Sequence, residues 1–252
     1  MNLNSRNAAR VDVRERRRAE NDARAARIMT AAARVFARRG VENATMEMIA
    51  REANVAVGTI YLHFASRDEV YLNLCAERGT QLGAGYREVI ARGLKPLDEI
   101  RALAQVYIEY LHESADPILL SEPTPYYEIR KRLRRTSEIR AFDRGARIRG
   151  EVFRLFESSV KRAFKRGLVA DSLGATGVTI AIWSILNGAF MVTRDREYLV
   201  HAIGFEPDGF VAKALDSYLQ GLAAAARSRS RQSKPAPRSR GMLGTAGKGM
   251  SL

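Results

Sequence analysis

A single cysteine, Cys75, leaves the chain no disulfide of its own. That excludes a disulfide-stapled secreted framework and favours a reducing, cytoplasmic interior. The three histidines, His63, His112 and His201, are too far apart in sequence for metal-ligand spacing, so neither a metal nor a cofactor is expected. The longest apolar run, Val178–Val192, falls short of the roughly 18–20 residues a bilayer span needs. Ser184, Asn187 and Gly188 interrupt it, and it reads as a buried helix of a soluble protein with no membrane partner. The first 27 residues contain no apolar stretch, so no signal peptide is expected. Signatures of catalysis are missing as well: there is no G-x-S-x-G, no H-E-x-x-H and no paired cysteine cluster. Gly247–Lys248 is not a phosphate loop, because Met242 stands where its first glycine belongs and Gly249 replaces the Ser/Thr. An enzyme is not expected.

The chain carries a net charge of +14, and acidic residues are scarce at its two ends. Residues 1–40 hold 11 arginines against 4 acids, and residues 227–252 hold 7 basic residues and no acid, leaving residues 41–226 neutral overall. A basic terminus is either a phosphate-seeking arm or a solvated tail that aids solubility. From Arg227 onward the composition turns to Ser, Arg, Pro, Gly and Lys, which predicts disorder.

What is abundant is helical periodicity. Ile28, Ala32, Val35 and Phe36 share one helix face, and Gly40 ends that helix. Thr45 caps a second helix with Met46, Ile49, Ala50 and Ala53 inside. Asn54, which tolerates positive φ, breaks it. A third helix is predicted from about Val57 to Phe64, and Ser66 with Glu69 opens a fourth as a capping box. Longer stripes follow: Ile100 to Leu111, Ile148 to Ala163, the helix around Val178–Val192, and Phe210 to Leu222 after Pro207 and Asp208. Prolines 117, 123 and 125 mark a loop around Asp116–Pro125. No stretch alternates as a strand does. The fold class is all-α: a three-helix helix-turn-helix head followed by a helical body. The divisions read as a basic arm (1–20), a head (21–66), a body (67–226) and a basic tail (227–252).

Three short helices with a tight turn between the second and third form a helix-turn-helix, whose last helix enters the major groove. Its residues A-N-V-A-V-G-T-I-Y-L-H-F-A-S-R-D-E-V, with the upstream F-A-R-R-G and T-x-x-x-I-A, resemble the tetracycline-repressor (TetR) family of transcriptional regulators. The resemblance covers roughly residues 21–75. It implies that Thr45 caps the second helix beside a phosphate, and that Val57, Gly58, Thr59 and Leu62 face the groove. It also implies that Tyr61 and Arg67 contact the phosphate backbone and that His63 reaches a base or phosphate. Ile60 and Phe64 are then core residues that set the angle of the recognition helix. Two departures stand out. Ala56 removes the usual side-chain cap of the third helix, and Val57 removes a basic contact and offers its methyls to a thymine methyl instead. Each polar assignment has a plainer counterpart: Tyr61 as packed core, His63 and Arg67 as solvated surface, and Arg14, Arg16, Arg17 and Arg18 as a frayed tail where the other reading extends the first helix toward the minor groove.

For the body, the resemblance implies a homodimer built through the last two long helices. The helix around Trp183 is apolar on nearly every side, more than one neighbour can cover, although a monomer with a buried central helix is the other reading. Tyr107, Tyr110, Tyr126, Tyr127, Phe153, Phe156, Trp183 and Asn187 are candidates for binding a small-molecule effector of moderate hydrophobicity, unless they are simply core. The expected function is a ligand-responsive regulator, a repressor released from a palindromic double-stranded DNA operator by its effector. A constitutive architectural DNA-binding protein is the alternative, and a body of about 140 neutral residues argues against it.

Overall fold

A computed structural model of the protein describes the backbone of residues 3–113, 123–170, 173–193 and 195–232, and side chains within 14–112, 128–170, 173–193 and 195–228. Among these residues the chain is all-helical. Helix α1 spans Leu3–Arg39, α2 Met46–Ala53, α3 Val57–Tyr61, α4 Arg67–Ala91 and α5 Pro96–Glu113. Then come α6 Pro123–Arg132, α7 Thr136–Lys165 and α8 Gly174–Thr193. A turn at Arg196–Tyr198 runs into a π-helical Leu199–Ile203, and α9 closes the fold at Phe210–Gln232.

The local signals act as expected. Gly40, at φ 74°, stops α1, and its N–H donates to the Phe36 carbonyl at 2.8 Å. The predicted stripes, Ile100 to Leu111 and Ile148 to Ala163, supply buried residues of α5 and α7. One signal misleads: Pro123 and Pro125, predicted in a loop, instead lie in the first turn of α6, where a missing N–H is tolerated. The rest of the predicted loop, residues 116–122, lies outside the described residues.

Apolar side chains gather in two clusters. One joins Ile28, Phe36, Ile49, Ile60 and Tyr71 of α1–α4 to Ile129 of α6, Leu133 just after it, and Ala141 and Phe142 of α7. The other packs α4 and α5 against α7, α8 and α9 around Tyr86, Leu103, Phe156, Ile182 and Leu215. Helix α4 contributes Val70, Tyr71, Leu72, Leu74 and Cys75 to the first and Leu82, Tyr86 and Val89 to the second, so it is the beam between them. Its glycines let neighbours approach closely: a Cβ at Gly79 would stand 2.9 Å from Ile148 Cγ2.

The basic residues 14–20 continue α1 as exposed helix rather than fraying. Three expectations change. Helix α3 stops at Tyr61 rather than Phe64, because the His63 and Phe64 N–H groups both turn back to the Ile60 carbonyl. Helix α9 runs on to Gln232, past the predicted start of the tail, and residues 233–252 lie outside the described residues. Helix α8 is 20 residues long and has the length and composition of a membrane span, beyond the run predicted. Nor is it buried all round: Val178, Ile182, Leu186 and Phe190 face the core while Ile180, Met191 and Val192 are exposed.

Cys75 is buried at the edge of the first cluster, and desolvation pushes its thiol up to about 11. In the native protein at pH 8 a thiol-specific chromogenic reagent is expected to label Cys75 only through unfolding, with full labelling in denaturant. Rapid stoichiometric labelling of the native protein would contradict this packing.

Candidate nucleic-acid interface

The turn that sets the helix-turn-helix angle rests on two short polar residues. Thr45 is extended at φ −124°, and its hydroxyl oxygen accepts from Met48 N at 3.2 Å, capping α2. Asn54 ends α2 at φ 53°, the one non-glycine residue at positive φ among those described. The Val55 N–H then reaches back to the Ala50 carbonyl at 3.0 Å, a closure that needs the left-handed residue between. Ala56 opens α3 without a side-chain cap, as the sequence indicates.

Helix α3 has five residues and buries Ile60 completely. Phe64 is buried just beyond it, so these two side chains pin the helix to the head core. The opposite side is open. Tyr61 is 52% and Leu62 83% exposed, Thr45 and Gly58 are exposed too, and Thr59 and His63 are half-buried. Val57 is half-buried and packs on the head core. Tyr61 is thus surface rather than core. Gly58 has an ordinary backbone, and nothing stands within 4 Å of where its Cβ would be. The fold therefore does not require glycine there.

Arg67, the phosphate clamp that the resemblance implies, is engaged within the head. Its side chain is only 21% exposed. Its Nη1 donates to the Glu42 carbonyl at 2.6 Å and to the Ala44 carbonyl at 3.3 Å, and its Nη2 reaches Glu42 Oε2 and Asp68 Oδ1, each at 3.2 Å. The fork is spent on the α1–α2 turn. Arg132 of α6 completes the network from the other side, 2.6 Å from Asp68 Oδ2 and 3.0 Å from Glu42 Oε1. The Arg132 hydrogen bonds hold the Glu42 carboxyl below its ordinary range.

A second set of contacts ties the head to the body. Ser66 caps α4 by accepting from Glu69 N at 3.2 Å, while the Glu69 carboxylate accepts from Ala65 N at 2.7 Å and from the Ser137 hydroxyl at 3.2 Å. Arg135 donates to the Ala65 carbonyl and Arg144 to Asn73 Oδ1. The links made by Ser137, Arg135 and Arg144 are invisible in local sequence, because their partners lie 68, 70 and 71 residues away.

In the body, five of the eight candidate effector residues meet. Tyr107 stacks on Tyr110 and on Trp183, both at 6.0 Å between ring centroids, and Phe153 meets Trp183 edge-on at 5.2 Å. The Tyr107 hydroxyl donates to Asn187 Oδ1 at 3.1 Å. Phe156 joins through Tyr86, a residue the sequence reading missed, at 5.8 Å. The Tyr86 hydroxyl and Trp183 Nε1 are buried near each other without the geometry of a hydrogen bond, and neither has another partner among the described residues. Burial pushes the phenols of Tyr86, Tyr107 and Tyr110 up, so all three stay neutral donors. The side chains of Tyr126 and Tyr127 lie outside the described residues.

The head's residues 28–74 match the model for "Bacterial regulatory proteins, tetR family". These residues carry a tetR-family head. TetR-type relatives include the HTH-type transcriptional activator FasR of Mycolicibacterium smegmatis, 29% identical over 106 residues, 42% of this chain and 48% of that protein. The HTH-type transcriptional repressor KstR2 of Mycobacterium tuberculosis is 28% identical over 102 residues, 40% of this chain and 51% of that protein. The chain thus spans about half the length of the curated relatives it matches. Its fold is shared with the transcriptional regulator FadR from Bacillus subtilis, solved in complex with stearoyl-CoA: TM-score 0.56, 16% identity, covering 79% of this chain and 97% of that one. The tetR-family head is therefore matched in sequence, and the helical body in architecture.

Because open space surrounds Gly58, Gly58→Ala is expected to leave thermal stability unchanged or raise it by up to about 1 kcal/mol. With Gly58 facing the groove, as the resemblance implies, the same change is expected to weaken binding to duplex DNA by a factor of about ten or more, read by fluorescence anisotropy, since the added methyl holds the helix off the bases. A variant that binds DNA normally would remove Gly58 from the interface.

Proposed function

We propose that the protein is a ligand-responsive transcriptional repressor that binds a palindromic operator as a homodimer and is released by a small-molecule effector. The observation that carries the reading is the recognition helix itself: a five-residue helix fixed by buried Ile60 and Phe64, with Tyr61 and Leu62 left exposed. Large apolar and aromatic side chains on an exposed helix call for a partner surface, and a major groove accepts a helix of this kind. Val57, Gly58, Thr59 and Leu62 face base edges in this reading. Tyr61 and Thr45 reach phosphates, and His63 reaches either. Arg67 acts as the brace that orients them.

The exposed face of α8 supports the dimer. Ile180, Met191 and Val192 form apolar surface that a second copy of α8 and α9 would cover in an isologous interface. The unpartnered Tyr86 hydroxyl and Trp183 N–H support the effector. Each leaves a buried donor unsatisfied at about 1–3 kcal/mol, which an acceptor atom on a mostly apolar ligand would relieve. The body spans α4 to α9, so a ligand that shifts α4 alters the spacing of two recognition helices. Half-sites about 34–36 Å apart then fall out of register.

Selection from a random-sequence duplex pool should return an inverted repeat, and sedimentation in dilute solution should give twice the chain mass. On the selected duplex Tyr61→Phe is expected to lower affinity about 5–150-fold without changing the preferred bases, as loss of one phosphate hydrogen bond in each of two half-sites predicts. A shift in base preference would reassign Tyr61. Selection of no common sequence would favour the architectural reading.

A further inference from the structure

The neutral total of residues 41–226 conceals a basic corner. Between Arg130 and Arg149 nine basic residues face two acids, Glu138 and Asp143. This stretch covers the end of α6 and the first half of α7. Some of its charge is cancelled: Arg132 is paired with Glu42 and Asp68, and Lys131 with Glu128. The rest is not. Arg134 donates to the backbone carbonyls of Lys131 and Leu133, Arg135 to the Ala65 carbonyl and Arg144 to an asparagine oxygen, all neutral acceptors. Arg140 and Arg147 are exposed and make no ion pair or hydrogen bond among the described residues.

The corner's position gives this charge a direction. Arg135 touches Ala65, four residues past Tyr61, so the corner begins within about 13 Å of chain from the end of the recognition helix. Arg140, Arg144 and Arg147 follow at i, i+4 and i+7 on one face of α7 and span about 10 Å along its axis. A row of uncancelled guanidinium groups beside a recognition helix matches a phosphate backbone in charge and in length.

We infer that this α6–α7 corner is a second DNA-contacting surface, in which Arg134, Arg140 and Arg147 hold the phosphates flanking the groove that α3 enters. The inference rests on the DNA-binding reading of α3 and extends it to the body. These contacts carry no sequence information. They lengthen the footprint and raise affinity for all duplexes alike.

The test uses the full-length protein and a duplex of random sequence about four helical turns long, with binding measured by anisotropy from about 50 to 200 mM salt. Arg140→Gln with Arg147→Gln is the variant, since neither side chain supports the fold and melting should be unchanged. Each phosphate contact contributes about 0.9 to the slope of log affinity against log salt. The double variant is expected to be shallower by about 2–4 units per dimer and at least about 10-fold weaker at the lowest salt. Arg140→Lys with Arg147→Lys should keep the slope. A Gln variant with the unaltered slope overturns the inference while leaving the recognition-helix reading intact. So does a Lys variant as weak as the Gln variant, because the loss is then not one of charge. Failure of the unaltered protein to bind the duplex at all would instead count against the DNA reading on which it rests.

Discussion

A helix of five residues has too few hydrogen bonds to stabilise itself, and α3 also lacks a side-chain cap. Its orientation depends on the burial of Ile60 and Phe64. That burial is made possible by a core closed from outside the helix-turn-helix, by Ile129 of α6, Leu133 just after it, and Ala141 and Phe142 of α7. The fully buried Ile60 and Ile129 represent about 1.5–3 kcal/mol each of transfer free energy. The head therefore folds onto the body, and whatever moves the α6–α7 corner is felt by the recognition helix.

The polar network around Glu42 adds direction to this apolar contact more than it adds stability. Arg132 is 39% and Glu42 56% exposed, so water screens their attraction. Arg67 is better shielded, and its fork satisfies two backbone carbonyls of the α1–α2 turn. Removing Arg67 leaves those carbonyls to water and frees the turn that carries Thr45. The sign of the pH dependence follows from Glu42: its folded-state pKa is lowered, so its contribution is present above the ordinary carboxylate range and is lost as pH falls through the lowered value.

Sequence made the local features legible because their causes are local. Thr45, Asn54 and Ser66 each act on backbone within five residues, and Gly40 ends its helix through its own φ. The apolar stripes of α5 and α7 follow from a 3.6-residue period. What stayed hidden depends on chain segments brought together from afar. Arg67 reads as a free cation until the α1–α2 turn folds over it. Charge summed from 41 to 226 vanishes because acids elsewhere offset the basic corner, although a shorter window at 130–149 exposes it. Tyr86 lies in an ordinary-looking apolar stripe of α4, and only the fold brings its hydroxyl to Trp183. Helix α9 outruns its predicted end because Ala and Arg favour helix even where the composition looks disordered.

The most direct test is native-state hydrogen exchange on the α2 and α3 amides in Ile129→Ala. Ile129 lies in α6, outside the helix-turn-helix sequence, yet it is fully buried in the head core. Loss of about 2–5 kcal/mol of protection at Ile49, Ala50 and Ile60 is expected from the cavity it leaves, larger than the loss at Ile182 and Leu215 in the body. Unchanged protection of those head amides would show that the head is held without the body and would contradict the account.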